Sequence, residues 1–387
     1  MPIFDQGYQH WEGKLSGHGA RWWAIARQGI RAQLRNRRTK YLVISAWVPA
    51  IVLAAFLALW GLFEQKSDFI KPFLFLFQGL PDAIREGPRG FRTTIWTMAF
   101  HFFLWVEVGL SMILVLLVGP DLISQDLRFN AIPLYLSRPM RRIDYFAGKL
   151  AVIVGFLSAV TILPVLLAYL VGVGFSLDLT VVRDTWRLLV MSLLYGLVVA
   201  VVSGLVMLAF SSLSRNSRVV ALMWVGLWIV TGMVGQILAE TSREERGVRD
   251  ERSERWRALS FTENLHRVRE AMLDTETAAG QILDVFTGAA DAVKEQPVVK
   301  TKLRVLNAMK NMVRRPRPPE PLPGASYKID TGESPGRPEA PGREPPEFLQ
   351  RLTSPYPWTY SAAVLAALCG ISVCILSTRI KSLDRLR

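Results

Sequence analysis

Histidine and cysteine are scarce in this chain: four and two among 387 residues. His10, His18, His101 and His266 fall at no metal-ligand spacing, and the pattern HExxH does not occur, which argues against a zinc hydrolase. Cys369 and Cys374 share one apolar run. Five residues apart on a helix, they would sit about 7.5 Å apart along the axis and about 140° apart around it, too divergent to bridge. The phosphate-cradling pattern GxxxxGK[ST] is also missing, so the chain has no such loop of its own for ATP phosphates. Acidic residues are nearly lacking from the apolar runs, where only Glu107 lies well inside. No cleavable signal is visible in the first forty residues, which are polar and hold eight Lys and Arg, so the first apolar run is expected to act as its own targeting signal. No internal repeat of fixed period is found.

What the chain has in excess is apolar and basic. It is 51% hydrophobic, with 12 Trp and 19 Phe, too apolar and too unevenly so for a soluble domain of this length. A spanning helix needs about 20 apolar residues, and six segments supply them: 41–63, 94–119, 150–175, 186–210, 218–239 and 359–378. The reading is an all-α integral membrane protein with six transmembrane helices. Pro49 and Pro164 inside the first and third are expected to kink them. Residues 73–80 are apolar but too short to span and suit an interfacial or re-entrant element. Net charge is +14, and outside residues 240–358 Lys and Arg outnumber Asp and Glu by 26 to 13. That excess flanks the spans, which points to anionic lipid and cytoplasmic anchoring rather than to nucleic acid.

Lys and Arg in the short loops then set the orientation. With both termini cytoplasmic, the inner loops hold nineteen of them and the outer ones seven. The chain divides into a cytoplasmic N-terminus (1–40), five spans with a cytoplasmic loop at 120–149 (41–239), a large insert between helices five and six (240–358), and the sixth span with a basic tail (359–387). Parity puts the insert outside the cell, against the six arginines between Arg243 and Arg257 that follow the fifth span. Within it, Ser260 and Glu263 form a capping-box pattern. Phe261, Leu265, Val268 and Met272 then share a helical face, as do Ile282, Val285, Phe286, Ala289 and Val293, and further on Leu303, Leu306 and Val313. These are expected to be short helices packed on one another or on the membrane surface. Ten prolines in residues 316–346 make that stretch a disordered linker.

Two segments carry patterns beyond spanning. Before the first span, Trp23, Ala26, Ile30 and Leu34 line one helical face beside a stripe of Arg27, Arg31, Arg35 and Arg38. That is an amphipathic interfacial helix with its arginines at lipid headgroups, either a simple anchor or a lever on the first span. The loop GPDLISQDLRFNAIPLYLSRPMRRIDYFAGK places a short helix at Asp121–Asn130, its acids suiting the positive end of the dipole, and a second helix starting at Pro139. It offers Leu127, Phe129, Leu134, Tyr135 and Leu136 beside charge, the composition of a docking surface or of a solvated loop.

The run from Asp126 through Ser137-Arg138-Pro139, Arg141-Arg142, Tyr145 and Gly148-Lys149 resembles the loop after the second span in type-two ABC exporter permeases. The six spans, the basic helix before them and the basic tail are similar to that family too. The resemblance implies a coupling helix seated in a separate ABC ATPase subunit, with Asp126, Leu127, Arg128, Phe129, Leu134, Tyr135, Ser137, Arg138 and Pro139 as contacts. It implies that Arg141, Arg142 and Lys149 fix the next helix at the membrane surface. It implies a second permease subunit, identical or not, export across the cell membrane, and ATP and magnesium on the partner, with no cofactor, metal or catalytic residue in this chain. The long insert departs from the family's usual short hairpin.

Glu107 is the candidate for the translocation pathway, since an ionisable group within a span faces the bundle interior or a wet cavity; an interhelical hydrogen bond is the plain alternative. His101, about 240° around the same helix, is not expected to share its face and is read as structural. The otherwise uncharged spans suit a lipid-like or amphipathic cargo. The competing readings are an ion-coupled carrier, a channel or a scaffold without an ATPase. An intramembrane protease is suggested only by EERGVR (244–249), which sits among charges instead of in an apolar helix.

Overall fold

The computed structural model describes residues 21–131, 135, 141–176, 178–246, 255–295 and 357–384. Leu303, Leu306, Val313 and the proline-rich stretch 316–346 lie outside them. Among the described residues six helical stretches are long and apolar enough to cross a membrane: Arg37–Glu64, Pro88–Arg128, Arg142–Ser176, Thr180–Leu213, Ser217–Ser242 and Trp358–Arg379. Among the described residues no strand occurs. These are the six spans the apolar runs predict, each extended by polar ends.

The first span comprises α2 (Arg37–Ser45) and α3 (Trp47–Glu64), and the third α7 (Arg142–Val160) and α8 (Ile162–Ser176). Both breaks fall two or three residues before a proline. Pro49 and Pro164 thus occupy the first turn of a restarted helix, where a missing N–H costs nothing. The second span is α5 (Arg92–Val118), continued after Gly119 and Pro120 by the short α6 (Asp121–Arg128). The fourth is the unbroken α9 (Thr180–Leu213). The fifth joins α10 (Ser217–Val225) to α11 (Thr231–Arg246) through a π-helical turn, Gly226–Val230, and the sixth is α14 (Trp358–Asp384). Between the first two spans lie a 3₁₀ segment (Asp68–Phe77) and the small α4 (Asp82–Glu86). Ile70 and Phe77 of the 3₁₀ segment are buried while Phe69 and Phe75 stand 81% and 62% exposed, which fits an interfacial element.

Spans two and four form the centre: 56% and 61% of their most apolar windows are buried, against 22%, 17% and 22% for spans one, five and six. Contacts between small residues and large rings fill the space. Gly61 of α3 lies where an added Cβ would come within 3.0 Å of the Phe175 backbone, so α3 and α8 meet at backbone distance. Trp96, Phe100 and Tyr169 pack beneath that crossing, Trp96 edge-on to Tyr169 at 5.6 Å.

At one end of the bundle, a single buried guanidinium gathers three spans. Arg92, 3% exposed at the head of α5, donates from Nε and Nη2 to the Glu64 carboxylate of α3 at 2.7–3.1 Å. Its Nη1 donates to Thr180 Oγ1 at 3.0 Å and Asp184 Oδ2 at 3.2 Å at the head of α9, and Asp178 lies 3.5 Å away. Trp60 Nε1 donates to the same Glu64 at 2.6 Å. Hydrogen bonds from the Thr180 hydroxyl and N–H, together with Arg92, hold the Asp178 carboxyl below its usual range. A buried charge is tolerable only when paired and hydrogen-bonded this fully.

The insert departs from expectation. Its helix α12 (Phe261–Leu273), capped by Ser260 Oγ accepting from Glu263 N at 3.2 Å, does not lie on a surface. It packs inside the bundle against α5, α9 and α14. Phe261 meets Trp224 of α10 edge-on at 5.8 Å, and Trp224 Nε1 in turn donates to Met112 O of α5 at 3.0 Å. Residues on its polar side, Asn264 and Arg269, are as buried as Leu265, at 0%, 1% and 0% exposure. An amphipathic pattern normally marks a half-buried helix; here the polar face is buried too because the bundle offers it polar neighbours. After Asp274, in the left-handed conformation at φ 56°, α13 (Thr275–Glu295) turns back along α5.

Candidate functional site

The corner at α6 is the site the sequence singles out. Asp121 in its first turn and Arg128 in its last suit the helix dipole. Leu122, Ile123 and Ser124 are buried, and Leu127 packs on the core, so the side facing away consists of Gln125, Arg128 and Phe129. Phe129 is 71% exposed, with the Arg128 guanidinium 5.6 Å over its ring.

Hydroxyl groups tie the buried side to two other spans. Ser211 Oγ, near the end of α9, accepts from the N–H groups of Ile123 and Ser124 at 3.0 Å each and donates to Pro120 O at 2.9 Å. These two N–H groups belong to the first turn of α6 and have no intrahelical acceptor, so Ser211 acts as a cap supplied by another span. Ser124 Oγ also donates to Pro120 O, at 2.5 Å, which leaves Ser217 Oγ, the first residue of α10, as donor in their 2.9 Å contact.

A second tie runs to the third span. Asp126 Oδ2 accepts from Tyr145 OH and from Lys149 Nζ, both at 2.7 Å. The Lys149 ammonium also lies 5.9 Å from the Tyr135 ring and 5.5 Å from that of Tyr145, a cation held between two aromatic faces and a carboxylate. Burial, and then the Asp126 charge, raise the Tyr135 phenol above its usual range. With side-chain exposures of 12% and 15%, Lys149 and Asp126 turn toward each other. Arg141 and Arg142 are exposed at the first turn of α7. Leu134, Ser137, Arg138 and Pro139 lie outside the described residues.

The helix before the first span, α1 (Arg21–Leu34), runs beside α7. Gly148 permits it, since an added Cβ would come 2.8 Å from Trp22 O. Ala26 is fully buried there, Ile30 half-buried, and Gln33 Nε2 donates to Val118 O at 3.4 Å. Trp23 and Leu34, expected on the same face as Ala26, stay 51% and 38% exposed, alongside exposed Arg27, Arg31, Arg35 and Arg38. The buried face is therefore rotated toward Ile25 and Gly29, on either side of Ala26.

Glu107 is fully buried in α5, and neither carboxylate oxygen makes a hydrogen bond; the same holds for the hydroxyl of Ser111 one turn on. His101 is buried as well, although it points elsewhere: a central helix buries more than one face. Beside it lies a cluster that sequence reasoning did not find. Arg269 of α12, 1% exposed, donates from Nη1 to His266 Nδ1 at 2.9 Å, which puts the ring proton of His266 on Nε2. His266 stacks on Trp105 at 6.5 Å, and both His101 and Tyr195 lie within electrostatic reach of Arg269. Arg267 pairs with Glu270 at 3.0 Å. The only signal for this cluster was the insert's polar face, which periodicity reads as solvated. Arg92 was likewise counted only as a loop charge. Among the described residues no group of histidine, cysteine and acidic side chains could hold a metal.

Six spanning helices and a polar corner laced to three of them define a multi-pass membrane protein. A family model described as "ABC-2 family transporter protein" matches residues 23–293, well over half of the chain. The chain belongs to that family of ABC-type permeases, which work in general with an ABC ATPase. No curated protein matches it.

Proposed function

We propose that this chain is the membrane subunit of an ABC exporter in the cell membrane, driven by a separate ATPase that docks on the α6 corner. The single observation that carries the reading is how α6 is mounted. It shows Arg128 and Phe129 outward while its other side is fixed to span four through Ser211, to span five through Ser217 and to span three through Lys149 and Tyr145. A push on such a helix reaches three spans at once, whereas a solvated loop would need none of these ties. In this reading Leu127, Asp126 and Lys149 position the helix, and Gln125, Arg128, Phe129 and the segment through Arg138 and Pro139 meet the partner.

The α6 end is then cytoplasmic, both termini lie on that side, and the Arg92 end faces out. The exposed arginines of α1, with Arg141 and Arg142, sit at the headgroups of the inner leaflet. ATP and magnesium belong to the partner, and this chain hydrolyses nothing. Two permease subunits flank the path, and the cargo is amphipathic, in keeping with spans that hold almost no charge. Glu107, an acid without a partner in the bundle, is the residue along which we expect a pathway or gate to be felt.

The test is purification from native membranes in mild detergent. A co-purifying phosphate-loop ATPase, lost when residues 126–139 are replaced by a neutral linker, supports the proposal. If intact-membrane cross-linking also yields no ATPase, the docking reading fails and a channel or ion-coupled carrier centred on Glu107 takes its place.

A further inference from the structure

At the Arg92 end, a cavity of about 390 Å³ opens between α5, α9 and the corner where α12 meets α13. Thr94 and Thr97 of α5 and Leu188 of α9 form its buried floor, and Thr94 hydrogen-bonds Gln281 of α13 across one side. Its rim carries two opposite charges from separate elements, Arg187 on α9 and Asp274 at the insert corner, both exposed. Among the described residues neither has an ion pair. Asp184, one turn before Arg187 on the same rim, already serves Arg92.

Two unpaired charges of opposite sign on one cavity, held apart by rigid helices, are jointly satisfied by a ligand that carries both signs. Arginine favours phosphate, whose oxygens match its fork of donors, and the Thr97 hydroxyl, unlike that of Thr94, which donates to Gln281, is left to donate into the cavity. Asp274 offers a carboxylate for an ammonium. The volume would hold about a dozen waters at roughly 30 Å³ each, so the ligand is small. We infer that this cavity binds a zwitterionic phosphoamine, the headgroup chemistry of phosphatidylethanolamine, with its phosphate on Arg187 and its ammonium on Asp274. The role as an outward-facing cargo or lipid site rests on the transport reading above, whereas the binding itself does not.

The test uses the full-length protein in phosphatidylcholine nanodiscs, titrated with phosphoethanolamine, inorganic phosphate and ethanolamine. Phosphoethanolamine should bind at least tenfold more tightly than either half. Arg187→Ala should weaken phosphoethanolamine and phosphate tenfold or more. Asp274→Asn, which keeps a residue that tolerates the left-handed backbone, should weaken phosphoethanolamine and leave phosphate unchanged. Unliganded unfolding midpoints equal to wild type show that both variants fold. Nanodiscs containing phosphatidylethanolamine separate the two sources. If the lipid is the occupant, it raises the wild-type midpoint but not that of Arg187→Ala, and blocks the soluble compound; if the soluble compound is, the lipid does neither. Failure of soluble and membrane-borne forms alike to bind, or variants that bind as wild type does, would overturn the inference. A lost ATPase partner with binding retained would count against the transport reading alone.

Discussion

The two ends of the bundle are held by different chemistry: at one, the buried guanidinium of Arg92, at the head of span two, gathers Glu64 from the end of span one and Asp178 and Asp184 from the head of span four. At the other, serine hydroxyls and a half-buried lysine tie α6 to three spans. That guanidinium resists removal, because losing it strands the Glu64 carboxylate where water cannot reach it. Hydroxyl contacts cost less to break and re-form. The Arg92 end is thus built to stay together, and the α6 end to shift as a unit.

The sharpest way to break this contrast is Arg92→Ala, which should cost about 3–5 kcal/mol by stranding buried Glu64, read as a large fall in the unfolding midpoint in nanodiscs. Next comes Ser211→Ala, which removes the shared acceptor of two N–H groups; about 1–3 kcal/mol is expected, with accelerated amide exchange confined to α6. Lys149→Ala should cost about the same or somewhat less, since Tyr145 still donates to Asp126, and Asp126→Asn should relieve much of that loss in the double variant. A Lys149→Ala midpoint as low as that of Arg92→Ala would erase the distinction between the ends. Smallest for stability is Phe129→Ala, which should leave the midpoint unchanged while uncoupling ATP hydrolysis by the partner from transport. If Phe129→Ala couples normally, the outward face of α6 is not the contact.

Much of this was legible because spans obey a length rule. Apolar runs of about 20 residues stand out against any background, and the prolines at 49 and 164 marked where two spans restart. The α6 helix was readable from Asp121 to Pro133 by its charges and its breaker. What the sequence hid were pairings between distant residues. Asp126 and Lys149 both read as surface charges in a basic loop, and only the fold shows them 2.7 Å apart. Arg92, Glu64, Asp178 and Asp184 belong to two loops, 64–93 and 176–187, whose basic residues were counted for orientation while their acids were not matched to them. Most of all, α12 has the pattern of a helix lying on a surface, since periodicity records polarity and not whether polar neighbours wait in the interior.

The placement of α12 also orders the making of the molecule. Residues 261–273 fill a space bounded by spans two, four and six, yet they are synthesised after the first five spans and well before the sixth. Spans two, four and five must therefore leave the ribosome and enter the bilayer with His101, Tyr195 and Trp224 facing a vacant slot, which the chain then closes from within. Truncation before residue 260 would leave that slot open to lipid or chaperone. The fifth span, with its π turn at Gly226–Val230, is the last span made before that filler.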